Sequence, residues 1–290
     1  MTVFLLLLSI VLSTGRNLFS KNLSKAAFGT KNFFGRQSIL LLFGALAILA
    51  IGNVSIGLPS SLTLLYSVIF AILLLCAQWF LTAALSTGKV ALCSTVYAMG
   101  FIIPTLSGVI FWSEPFSLFD VAGIVCAIAA VLCSGYSPDK QKDSDRRYFL
   151  PIILAMLASG GLGIMQKVQQ RSAFAHEKPT FLFISFLIAA ALSLIATLVA
   201  KKATDTNENK SSKKAFFITA GAGITFGAYN LLNTTLAGML PSAVFFPVFN
   251  IGVIALTMIC GIILLKERIR KKEILVLALG GMSILLLTVF

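Results

Sequence analysis

Residues 62–75 read LTLLYSVIFAILLL. A strand of a membrane barrel alternates apolar and polar residues over about ten positions, and this run does not alternate. It is an unbroken apolar stretch of the kind that crosses a bilayer as a helix, which takes roughly 20 residues. Outward from it, the same character recurs along nearly the whole 290-residue chain, 58% hydrophobic and only 11% charged. The spans fall at 2–22, 37–57, 61–85, 90–112, 117–136, 148–170, 179–200, 214–237, 242–265 and 272–290. The fold class expected is an all-α integral membrane protein of ten transmembrane helices.

Little sequence is left for anything else. The polar segments 138–147 and 201–214 are too short and hydrophilic to bury a core and read as solvated linkers, which leaves no soluble catalytic domain. The first span has no basic residue ahead of its apolar core, so it reads as a retained helix rather than a cleavable signal. Cys76, Cys93, Cys126, Cys133 and Cys260 all lie inside spans without metal-type spacing, and read as small packing residues. His176 falls in a short loop. No HExxH, GxSxG or aspartate-rich metal motif occurs, so neither enzyme activity nor a cofactor is expected.

The net charge of +13 is topological rather than a nucleic-acid footprint. Nineteen of the 23 Lys and Arg residues fall after odd-numbered spans, among them Lys21, Lys25, Lys140, Arg147, Lys213 and Arg268. Only Lys167, Arg171 and Lys178 fall after even-numbered ones. Basic residues of short loops stay in the cytoplasm. The odd loops are therefore expected to be cytoplasmic, and both termini extracytoplasmic.

The chain also resembles itself. Ser13, Gly15, Lys21 and Lys25 match Ser159, Gly161, Lys167 and Arg171 at one offset; Thr82, Ala84, Gly108 and Glu114 match Thr235, Ala237, Gly261 and Glu267 at another. The halves expected are residues 1–137 and 148–290, with 138–147 a cytoplasmic linker. Each holds five spans, an odd number, so the second half enters the membrane from the opposite side and the repeat is inverted. Inverted repeats place a substrate site near the midplane and favour alternating access.

Three stretches, TGRNLFSK (14–21), ALSTGKVALCSTVYAMGFIIPTLSGVIFWSEPFSLFDVAGIVCAIAAVLCSG (84–135) and LAGMLPSAVFFPVFNIGVIALTMICGIILLKER (236–268), carry a family resemblance. The chain resembles the ten-helix EamA type of the drug/metabolite transporter superfamily over essentially its whole length. The resemblance implies a solute carrier or exporter of the cell membrane, a monomer or homodimer with a small-molecule substrate. Two features depart from the family pattern. Thr14-Gly15 stands where many members have Trp-Gly, and the basic residues imply termini on the opposite side from the usual one.

All ten acidic residues lie in loops or at span ends, so the membrane carboxylate of small proton-coupled drug exporters is missing. Arg16 is the one clear cation read within a span. It either holds an anionic substrate group or snorkels, with Lys21, to the headgroups. Tyr229, Asn230, Asn233 and Thr234 share a face of the eighth span through i, i+3 and i, i+4 spacing, as do Phe246 and Asn250 in the ninth. Asn17 in the first span, Gln78 and Trp79 in the third and Tyr97 in the fourth are placed at midspan as well. These residues are the candidate cavity lining, their alternative role being interhelical hydrogen bonding. Pro104 and Pro247 interrupt the fourth and ninth spans as hinge candidates. Glu114 and Glu267, just after those spans, are read as capping or bracing the helix that follows. A non-transporting scaffold or receptor and a flippase for lipid-linked substrates are the alternative functions.

Overall fold

The computed structural model describes residues 1–21, 30–54, 57–87, 93, 96–135, 148–200, 213–265 and 271–289. Among them are ten α-helices: α1 (Thr2–Lys21), α2 (Thr30–Ile51), α3 (Ser61–Thr87), α4 (Ile102–Trp112), α5 (Leu118–Gly135), α6 (Phe149–Arg171), α7 (Lys178–Val199), α8 (Lys213–Met239), α9 (Ser242–Leu265) and α10 (Lys271–Val289). Short 3-10 turns, Met99–Phe101 and Ala175–Glu177, lead into α4 and α7. Seven helices are long and apolar enough to cross a membrane, and Val96–Trp112, Leu118–Cys133 and Ile274–Thr288 are shorter apolar helices. The outer faces are apolar too: Phe4, Ile110, Phe111, Leu198 and Val199 are each at least two-thirds exposed, as lipid-facing side chains are.

Each expected span contains one helix, with two clear shifts of boundary: in the fourth span, read as 90–112, α4 begins only at Ile102 after the turn Met99–Phe101, and the second span is displaced as a whole. The second span, read as 37–57, is a helix over Thr30–Ile51. Its end is set by Asn53, which adopts a left-handed φ of 49° and turns the chain, although the residues beyond remain apolar.

The chain forms two compact units, one of residues 1–75 with 169–235, the other of 76–168 with 236–290. Each unit thus draws on both halves of the sequence. In the first unit, α1 and α8 run antiparallel. Ser9 meets Asn233, Arg16 meets Phe226, and Phe19 lies against Gly221. Helices α2 and α7 are also antiparallel, with Gly35, Gly44 and Gly52 against Thr197, Phe186 and Pro179 in turn. Helices α2 and α8 run parallel and touch through backbone: a Cβ on Gly223 would strike the Leu40 carbonyl, and one on Gly227 the Gly44 carbonyl. Gly223 and Gly227 form a GxxxG pair, the spacing that lets membrane helices approach this closely.

In the second unit, α4 and α6 run parallel, Gly100 lying against Met156 and Gly160, and Pro104 against Gly163. Helix α5 is joined to α10 where Ser283 Oγ donates to the Gly123 carbonyl at 2.8 Å. The end of α3 packs on α6 through Ala84, Cys93, Ile152 and Ala155. Where the contacts fix a direction, helices of like parity (α2 with α8, α4 with α6) run parallel and those of unlike parity (α1 with α8, α2 with α7) antiparallel, as successive crossings of a bilayer require.

Candidate functional site

The candidate residues fall into two groups, one in each unit. In the first unit the face of α8 that carries Tyr229, Asn230 and Asn233 is largely packed against protein. Asn233, 6% exposed, accepts a 2.5 Å hydrogen bond from Ser9 Oγ through Oδ1, tying α8 to α1. Asn230 turns its Nδ2 back to the Phe226 carbonyl of its own helix at 2.9 Å. The Tyr229 ring sits 5.4 Å from that of Phe226. Arg16 lies with its guanidinium 4.3 Å from the same ring's centroid, in cation–π geometry. Asn17 is half-buried. Phe226 therefore joins Arg16, Tyr229 and Asn230. The sequence held a signal for it, since it precedes Tyr229 and Asn230 by three and four residues, one turn of helix.

In the second unit, Asn250 repeats the arrangement of Asn230: its Nδ2 donates 2.9 Å to the carbonyl of Phe246, four residues earlier. Facing a carbonyl, which only accepts, the amide must present its NH2 group. Its Oδ1 is then the end left for another partner. Phe246 is 5% exposed, and Gly163 packs against both it and Pro104. Pro247 lies within α9. Gln78 and Trp79 are half-buried in α3, and Tyr97 packs against the cluster around Cys93. Glu267 lies outside the described residues.

Glu114 occupies the best-built polar site of the second unit. Helix α4 ends at Ser113, whose left-handed backbone (φ 48°) swings the chain so that the Glu114 N–H donates to the Gly108 carbonyl at 3.2 Å. The side chain then points inward. One carboxylate oxygen lies 2.5 Å from Lys167 Nζ of α6, and the other accepts the Ser242 N–H, at the start of α9, at 2.6 Å. Lys167 also donates to the Leu240 carbonyl at 3.0 Å. Burial pushes the Glu114 carboxyl up, but the Lys167 hydrogen bond, those from Ser242 and the Lys167 charge outweigh it and hold it below the usual carboxylate range.

Two expectations change here. Glu114 caps α9, which begins 128 residues later, as well as standing just before α5. Lys167, counted from the sequence among loop charges, lies inside α6 and is only 1% exposed, so Arg16 is not alone as a cation within a helix. Its signal was its place within the span read at 148–170. Among the described residues no three His, Cys, Asp or Glu side chains gather as a metal site.

Residues 147–289 match the family model of the EamA-like transporter family. A solved protein crystal structure superposes with a TM-score of 0.80 and 16% identity, over 99% of this chain and 96% of that one, which shows a shared fold. No curated protein matches in sequence.

Proposed function

We propose that this chain, a multi-pass membrane transporter that belongs to the EamA-like transporter family through residues 147–289, carries a small polar or amphipathic metabolite across the cell membrane by alternating access. The observation that carries the reading is Asn250, a half-buried amide within an apolar helix, anchored by its Nδ2 to Phe246 so that Oδ1 is set in a fixed direction. A polar group in a bilayer helix is costly unless it serves packing or a pathway. This one spends its anchoring bond on its own helix rather than on a neighbour.

Alternating access would follow from an inverted repeat of residues 1–137 and 148–290. Two features support it. The third helix of each half, α3 and α8, has 27 residues, and the second helices, α2 and α7, pack against each other antiparallel. The basic residues after odd-numbered helices support extracytoplasmic termini. An alkaline phosphatase fused to the C-terminus is expected to be active, and an inactive fusion reverses the orientation.

The substrate reading is tested in proteoliposomes with solutes first found by thermal shift. Loss of a hydrogen-bonding partner from a buried ligand costs about 1–3 kcal/mol. Asn250→Ala is therefore expected to weaken transport about tenfold with normal expression. Transport by Asn250→Ala at the wild-type rate removes Asn250 from the pathway.

A further inference from the structure

One carboxylate in the second unit holds together the end of α4, the last turns of α6 and the start of α9. The Glu114–Lys167 pair is almost fully buried, with side-chain exposures of 4% and 1%. Stability alone does not explain it, because a buried ion pair is commonly matched or bettered by apolar residues of similar volume. What an ion pair offers instead is a directional contact that either forms completely or fails. Glu114 also meets the backbone N–H at the N-terminus of α9, where the helix dipole favours a negative charge.

A second observation concerns what that contact holds. Pro247 has no N–H to donate to the carbonyl of Ala243, so the first turn of α9 lacks one of the bonds that would fasten it to the next. At the other end the turn begins on Pro241, whose carbonyl accepts from Val244 and Phe245 at 3.1 and 2.9 Å. The segment Ser242–Phe246 thus lacks one helical bond at Ala243, keeps a side-chain tie across the proline from Asn250 Nδ2 to the Phe246 carbonyl at 2.9 Å, and is joined through Glu114 to α4 and α6. Gly108 lets them meet, since a Cβ there would strike Ser242 and lie 2.5 Å from Glu114 Oε2.

We infer that Glu114 and Lys167 form a latch, and that the element it releases is the first turn of α9, Ser242–Phe246, hinged at Pro247. The inference gives the transport reading above a moving part within one unit, and to that extent it rests on that reading. Opening the latch would free the start of α9 to swing away from α4 and α6. Remaking it would close that end of the unit.

The test uses the full-length protein in detergent with its five cysteines replaced and Ala243→Cys as probe, a position only 1% exposed. Its labelling by a maleimide is compared with and without Glu114→Gln/Lys167→Met, a pair that removes both charges together. Protection of a buried group follows the free energy of local opening. The double variant is therefore expected to label at least about tenfold faster while melting near the parent temperature. Labelling within about twofold of the parent overturns the latch. So does a double variant that fails to fold, since the pair would then be needed for the fold itself. Labelling requires no substrate, so fast labelling without any transported solute sinks the transport reading alone. Transport with unchanged labelling sinks the latch alone.

Discussion

Two helices of this protein begin with the same three residues, Leu58-Pro59-Ser60 before α3 and Leu240-Pro241-Ser242 at α9, and each start is capped by a glutamate from a distant loop. In the first unit Glu177 accepts from the Ser60 N–H at 3.2 Å and from the Ser60 hydroxyl at 3.0 Å. In the second, Glu114 accepts from the Ser242 N–H. The surroundings differ. Glu177 is only partly buried, and the Ser60 hydroxyl shares the capping by accepting from the Thr63 N–H at 3.2 Å. Glu114 is 7% exposed and carries Lys167 with it. The comparison teaches that the cap itself needs no buried counterion: a carboxylate at a wet helix start is met by backbone and hydroxyl donors, with only a neighbouring His176 adding attraction. Only when the same cap is buried does its charge require a counterion, because unpaired charge in a dry site is costly.

The difference gives an order of effects. Glu114→Gln leaves Lys167 as a buried charge without its counterion, and breaking such a pair costs about 3–5 kcal/mol. A large drop in detergent melting temperature is the expected outcome, and a drop no larger than that of the changes below would erase the contrast between the two caps. Ser60→Ala removes the hydroxyl that receives the Thr63 N–H, an N-cap worth about 1 kcal/mol. A modest fall in melting temperature with unchanged expression is expected. Glu177→Gln keeps an acceptor at the partly exposed helix start and loses only the attraction of charge for the helix dipole, about 0.5 kcal/mol. Its melting should shift least and grow less sensitive to salt. If it proves as damaging as Glu114→Gln, burial is not what separates the two sites.

The ten membrane crossings could be read from apolar runs because lipid offers no partner for backbone groups and so forces helices wherever the chain is apolar long enough. The shared face of Tyr229, Asn230 and Asn233 followed from helical periodicity in the same way. What that face does was not legible. Asn233 is spent on Ser9 of α1 and the Asn230 amide on its own helix, and spacing along one helix carries no information about the helix that packs on it. Arg16 shows the same limit: neither of its readings, anion holder or snorkeling cation, included the ring of Phe226 over which it lies.

The sequence by itself determined how often the chain crosses the membrane, where each crossing lies and, through its basic residues, an expected sense of direction. These are properties of one segment against its solvent, and each segment states them alone. Only the tertiary structure decided that Lys167 belongs to Glu114 and Glu114 to α9. That assignment depends on how closely α4, α6 and α9 approach at Gly108 and Gly163, and such contacts exist only once separate helices have packed. The pairing of a buried charge is a property of the site that surrounds it.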